Sequence, residues 1–192
     1  MSIAYLNGSW QPIDEAKVSV LDRGFMFGDG VYEVIPVYQG KTFAEDQHLA
    51  RLANSLNELH ITMPMAQDAW RELFAEAIER GGEDEAVLYV QVTRGVATSR
   101  THIYETGEPT VLVTASKRAL RKISDQYRMV TKQDFRWGRG DLKVISLAAN
   151  SLLKNEALSE GYDDAILIRD GKVTEAPSSN IFVIKDGVIA TP

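Results

Sequence analysis

Residues 139–157 read RGDLKVISLAANSLLKNEA. Leu142 to Ile145 forms a short extended apolar piece. It runs directly into a helical pattern predicted over Ser146 to Glu160 and closed by Gly161. Lys143 sits inside the apolar piece. An amine held among apolar residues has a lowered pKa and becomes nucleophilic toward carbonyls. The plainer reading is a strand-end lysine whose stem packs while the amine reaches water.

Downstream, Ala165 to Arg169 and Lys172 to Glu175 flank Asp170-Gly171. Asn180 to Lys185 and Val188 to Ala190 flank Asp186-Gly187. Asp-Gly between apolar runs signals a hairpin. Glu175 closes a predicted strand and opens the loop APSSN. There Pro177 stiffens the chain, and Ser178, Ser179 and Asn180 offer groups that hydrogen-bond a phosphate. An ordinary polar hairpin loop is the simpler alternative. The chain stops at Thr191-Pro192, just after a strand. The hairpin faces need more covering structure than follows, so an incomplete protein is expected.

Upstream, the basic run Lys117 to Lys122 reads as a solvated connector joining two domains near residue 120. Tyr127 to Thr131 is predicted as a strand. Before the connector come a strand from Ile3 to Leu6 ending at Asn7-Gly8, and a hairpin from Val31 to Tyr38 through Gln39-Gly40 into Lys41 to Ala44. Two helices follow. The first is capped by Asp46 and carries Leu49, Leu52, Leu56 and Leu59 on one face. The second runs from Gln67 to Arg80, with Trp70, Leu73, Phe74, Ala77 and Ile78 as its stripe, and Gly81-Gly82 ends it. Val87 to Arg94 and Val111 to Ala115 are strands. The pattern predicts an α+β layer with helices on one face of a sheet.

Composition narrows the function. The chain has 192 residues, 44% hydrophobic and 25% charged, enough for a sizeable core. No apolar run approaches the roughly twenty residues of a membrane span, and MSIAYLNGSW has neither the basic nor the apolar region of a secretory signal. With Cys 0, thiolate chemistry is excluded, and His48, His60 and His102 lack metal-ligand spacing. A net charge of −6 and pI of about 5.1 argue against nucleic-acid binding. These features point to a soluble, cytoplasmic protein handling a small molecule.

Three further segments stand out. GDGVYEV, residues 28–34, turns tightly into a strand bearing Tyr32 and Glu33, but it leads to no helix and fails the dinucleotide fingerprint. Arg51 lies on the first long helix, where pairing with Glu58 is the simple expectation. Arg100-Thr101-His102 lies in a loop between strands. An arginine beside a histidine can grip a carboxylate, though such a pair is more often a loop salt bridge.

LDRGFMFGDGVYEV, HLARL, VTRG followed by SRTHIY, RGDLKVISLAANSLLKNEA and VTEAPSSNIFVIKDG occur in this order along essentially the whole chain. Together they resemble the fold-type IV pyridoxal-phosphate enzymes, which include D-amino acid and branched-chain aminotransferases and aminodeoxychorismate lyases. The resemblance implies an N-terminal α/β sandwich domain over residues 1–120. A β-rich cofactor domain would start over 121–192 and be truncated there. Family members continue through a strand–loop–helix unit that completes the phosphate cup.

Residue by residue, the resemblance makes Lys143 the lysine bonded to pyridoxal 5'-phosphate, which also shuttles the substrate α-proton. Glu175 matches the carboxylate facing the pyridine nitrogen. Arg51 matches the phosphate arginine, and Ser178 and Ser179 lie in the loop near the cofactor. Tyr32, Arg100 and His102 match the carboxylate trap of the D-amino acid branch, where the arginine and histidine come from the partner subunit of a homodimer. The implied reaction is transamination between a D-amino acid such as D-alanine and a 2-oxo acid such as 2-oxoglutarate. Aminodeoxychorismate lyase and a branched-chain L-amino acid aminotransferase are the alternatives within the family, and an inactive dimerising fragment is the alternative outside it. Two departures touch the cofactor contacts. Pro177 removes a backbone donor from the serine loop, and Ser146 stands where the family carries asparagine.

Overall fold

A computed structural model describes residues 3–104, 107–118 and 126–192. The chain forms two compact units, Met1–Leu120 with Gly140–Ser146, and Arg121–Arg139 with Leu147–Pro192. Part of the basic run read as a connector, residues 119–122, lies outside the described residues.

The first unit is a six-stranded antiparallel sheet with helices on one face. Its strands are β1 (Ile3–Leu6), β2 (Ser9–Pro12), β3 (Gly30–Tyr38), β4 (Lys41–Thr42), β5 (Ala86–Thr93) and β6 (Thr110–Lys117), in the order β2-β1-β6-β5-β3-β4. Alternation along β3 and β5 sends Val31, Ile35, Val37, Leu88, Val90 and Val92 to one face. There they pack on α2 (Glu45–Glu58) and α3 (Gln67–Gly81) through Leu49, Leu52, Leu56, Trp70, Leu73, Phe74 and Ala77. These are the leucine face and the aromatic stripe read from periodicity, with Leu59 and Ile78 at the margin. Asn7-Gly8 and Gln39-Gly40 both have positive φ at each residue, the geometry of a two-residue hairpin turn that follows sheet twist.

Two local expectations change. Asp46 does not cap α2. Ala44 takes the N-cap position with φ of 53° and no side-chain bond, because the Phe43 N–H donates to Pro36 O across the β3–β4 hairpin and the helix starts two residues earlier than an Asp46 cap would set. Asp46 instead sits in the first turn, favourable for a carboxylate, and accepts from Arg71 at 2.7 Å. A short helix, α1 (Arg23–Phe27), precedes β3 and has no periodic signature because it spans only five residues.

The second unit contains β7 (Met129–Gln133), α4 (Ala148–Ser159), β8 (Asp164–Arg169) and β9 (Lys172–Val173). β8 pairs parallel with β7 and antiparallel with β9. Leu153 and Ala157 of α4 pack on Ala165 and Leu167 of β8, with Val130 beside them. β10 (Val183–Lys185) and β11 (Val188–Ala190) form a separate hairpin. α4 begins two residues later than the pattern predicts, because Ser146 Oγ is engaged elsewhere, donating to Gly28 O at 2.9 Å. Both Asp-Gly pairs turn with positive φ as expected, and β8 and β11 match the runs before and after them, but β9 and β10 are shorter than the expected Lys172 to Glu175 and Asn180 to Lys185. No helix among the described residues is long and apolar enough to cross a membrane.

Candidate active site

Lys143 belongs to the first unit. β4 pairs with β3 only at Val37 and Tyr38, so the start of β3 has a free edge. Residues 143–145 take that edge. Tyr32 N–H donates to Lys143 O at 3.0 Å, Ile145 N–H donates to Gly30 O at 3.1 Å, and Val144 bridges Val31. Lys143 N–H reaches Ser55 Oγ of α2 at 3.3 Å. Antiparallel register puts Lys143 on the same face as Tyr32, away from the helices. Its Nζ lies 4.1 Å from the centre of the Tyr32 ring, a cation–π distance. Among the described residues no carboxylate pairs with this amine. An amine without an ion-pair partner, fixed by its backbone against an aromatic face, suits attachment of a carbonyl group.

Arg51 is one turn before Ser55 on α2. It is not organised by Glu58, as the simple reading expects, but by Glu33. Strand alternation turns Glu33 inward with Val31 and Ile35, where it is 1% exposed. A buried carboxylate needs donors. Arg51 Nε and Nη2 donate to its two oxygens at 2.6 and 2.7 Å, and His48 Nδ1 lies 2.8 Å from Oε2. The Glu33 hydrogen bond raises the Arg51 guanidinium above its ordinary value; burial opposes this and the Glu33 charge adds to it. The side chain remains 48% exposed. It therefore presents a fixed positive group able to hold a phosphate. An acidic residue at an inward strand position was the signal in the sequence for this pairing.

Arg100 and His102 gather around Phe27 of α1, not around Tyr32. The Arg100 guanidinium is 5.0 Å from the Phe27 ring centre, and the His102 ring is 5.2 Å away. Both side chains are exposed on the segment between β5 and β6.

Sequence reasoning missed the group behind them. Asp29 accepts from Arg23 Nε at 2.8 Å and from Arg94 Nε and Nη2 at 2.8 and 3.0 Å. Burial would raise the Asp29 carboxyl, but hydrogen bonds from Arg94 and Arg23, and their charges, bring it below its ordinary value. These residues are dispersed at positions 23, 29 and 94, so no local pattern announces them.

In the second unit, Glu175 follows β9 and its backbone O accepts from Leu167 N–H at 2.8 Å. Its carboxylate accepts from Arg136 Nη1 at 2.6 Å. Arg136 also donates to Asp134, which takes further bonds from Thr174 Oγ1 at 2.7 Å and pairs with Arg169 at 3.1 Å. Burial would raise Asp134, yet bonds from Arg136 and Thr174 and the Arg136 charge hold it far below the usual carboxylate range. Arg136 is likewise invisible to motif reading. In the serine loop, Ala176 N–H donates to Ser179 O at 3.1 Å, and Asn150 Nδ2 donates to Pro177 O at 2.8 Å. Ser178 and Ser179 are left exposed.

This fold has known counterparts. The model of the class IV amino-transferase family matches residues 30–192. The chain is 38% identical to the D-alanine aminotransferase of Staphylococcus aureus (strain MSSA476) over 195 residues, covering 100% of this chain and 69% of that protein. It is 37% identical to the D-alanine aminotransferase of Listeria monocytogenes (strain 10403S) over 183 residues, covering 93% of this chain and 63% of that protein. Among solved structures, a T.th. branched-chain amino acid aminotransferase complexed with N-(5'-phosphopyridoxyl)-L-glutamate superposes with a TM-score of 0.87 at 28% identity, covering 98% of this chain and 66% of that one. The fold IV-transaminase of Curtobacterium pusillum gives 0.82 at 28%, covering 100% and 72%. The chain belongs to the class IV aminotransferases. It spans only 63% of the length of the Listeria relative.

Proposed function

We propose that this chain holds pyridoxal 5'-phosphate and transfers an amino group between a D-amino acid, such as D-alanine, and a 2-oxo acid, such as 2-oxoglutarate. The seat of Lys143 carries this reading: an amine fixed by its backbone over Tyr32, with no carboxylate pairing it among the described residues. Lys143 would hold the cofactor's carbonyl carbon, and its amine would then move the proton at the substrate α-carbon. Arg51, braced by Glu33, would bind the phosphate. Glu175 would face the ring nitrogen, with Ser178 and Ser179 near the cofactor. When bound, pyridoxal phosphate supplies an electron sink for the carbanion at the α-carbon. Tyr32, Arg100 and His102 would orient the substrate carboxylate, and orientation is a large part of such rates. Arg100 and His102 would serve the partner's site in a cytoplasmic homodimer. The division near residue 120 into an N-terminal α/β domain and a cofactor domain belongs to the same reading.

The D-alanine aminotransferases at 38% and 37% identity support the D-amino acid substrate. The likeness to a branched-chain enzyme, TM-score 0.87, supports a second reading with L-leucine-type substrates; the Arg100–His102 pair favours the first.

Borohydride reduction of the complete polypeptide loaded with pyridoxal phosphate should fix the label on Lys143, located by peptide mass spectrometry. Lys143→Ala should lose the label and about 10²–10⁴-fold in rate. D-alanine should outpace L-leucine with 2-oxoglutarate. A label on another lysine overturns the lysine assignment, and preference for L-leucine overturns the substrate.

A further inference from the structure

We infer that Arg23 is the positioning residue for the Arg100–His102 clamp, with Asp29, Arg94 and Phe27 as its support. This rests on the proposed clamp and adds a group that sequence likeness does not assign.

The segment between β5 and β6 is long, and Arg100 and His102 project from its exposed part. A long loop holds a guanidinium in one place only if something rigid fixes its backbone. Here α1 does. Arg23 is 5% exposed, and its Nη1 donates to Thr101 O at 2.6 Å and lies 3.5 Å from Ile103 O. One guanidinium thus addresses the carbonyls on both sides of His102. Phe27 is one helical turn after Arg23, on the same face of α1, and forms the surface on which the Arg100 and His102 side chains rest.

The support is itself fixed. Asp22 caps α1, accepting from Gly24 N–H at 2.8 Å through one carboxylate oxygen, and takes Thr93 Oγ1 of β5 at 3.0 Å on the other. Asp29 offsets the Arg23 charge. Arg94 shares Asp29 and donates to Leu59 O and His60 O at 2.6 and 2.8 Å, satisfying carbonyls at the end of α2. The Tyr104 ring covers the pair, 3.6 Å from the Arg94 guanidinium and 5.5 Å from that of Arg23. At the loop's base Gly95 has φ of 93°, and a Cβ there would fall 2.0 Å from Glu108 O, so the base is closed tightly. The charge at Arg23 therefore has three tasks: neutralise Asp29, hold two loop carbonyls, and press against Phe27.

Lysine at position 23 keeps the charge but, as a point donor, cannot span Asp29 and both carbonyls. In the complete polypeptide, Arg23→Lys should raise KM for D-alanine about tenfold with kcat within about threefold, the size expected for one lost orienting contact. Inhibition by propionate, a carboxylate without an amine, should weaken in parallel. Amide exchange in the 98–104 peptide should speed up, while the melting temperature shifts by only a few degrees. Phe27→Leu should repeat this pattern and is the test if Arg23→Lys does not fold. If Arg100→Ala raises KM and the position-23 and position-27 variants do not, Arg23 has no positioning role and the clamp stands without it. If none of the three raises KM, the clamp reading itself falls. If kcat drops and stability collapses with KM unchanged, Arg23 is structural only and the inference is overturned.

Discussion

The two units solve the same problem, burying a core and presenting charged groups, in opposite proportions. In the first, Trp70, Phe74, Ile35, Leu52, Leu56 and Leu88 are all fully buried between a broad sheet and two helices. At about 25 cal/mol per Å² of apolar surface, such burial dominates stability. Its ionic groups, Glu33 with Arg51 and Asp29 with Arg23 and Arg94, lie around that core and orient side chains. In the second unit the apolar cluster is Leu153, Ala157, Ala165 and Leu167. There the buried Asp134 ties β7's end to β8, β9 and Arg136, so one ionic network both joins the strands and fixes Glu175. The difference teaches that the same type of ion pair is a tool of orientation where apolar area is plentiful and part of the framework where it is scarce.

The contrast can be broken at several points. The largest effect is expected in the first core: Trp70→Ala should cost about 3–5 kcal/mol in chemical denaturation. Trp70→Phe should cost much less, because the buried indole N–H has no hydrogen-bond partner among the described residues and its removal leaves nothing further unsatisfied. In the second unit, Asp134→Ala should cost about 3 kcal/mol, since Arg136 would lose a buried partner. Equal insensitivity of β8 and β5 amide exchange to this change would remove Asp134 from the framework.

Acid should sharpen the comparison. Asp29 and Asp134 both have folded-state values below the ordinary 3.8. Their contribution is complete above that value and is lost as pH falls below it toward the folded values. Because Asp134 is shifted further and stands beside a smaller core, β8 should lose exchange protection before β5 as pH is lowered. Asp134→Asn should flatten the acid dependence of the second unit only. The smallest effect is at a turn: Gly171→Ala, at φ of 72° with open space around the added methyl, should cost about 1 kcal/mol from backbone strain alone. No measurable loss there would mean that the β8–β9 turn relaxes.

Much of the frame was legible because its causes are local. The leucine face of α2, the aromatic stripe of α3, Gly82 ending α3 with φ of 66°, and the four two-residue turns are written within a few residues of where they act. The boundaries that shifted did so for non-local reasons. Ala44 displaced Asp46 as cap because a hairpin bond sets the entry to α2, and Ser146 left the helix for Gly28. Among the candidate residues, Lys143 was marked by its apolar setting, but the aromatic ring beneath it depends on which strand edge was free. Arg51 was expected beside Glu58 and found its partner on β3.

By itself the chain determined its three longer helices, its hairpins, and the ordered motifs that mark a class IV aminotransferase, since propensity, periodicity and turn chemistry act over short stretches. Tertiary structure alone decided that Glu33 braces Arg51, that Arg136 holds Glu175, and that Arg23 reaches the carbonyls beside His102. A buried charge takes whichever opposite group the packed fold brings within about 3 Å, and that choice is made by distance in space, not along the chain.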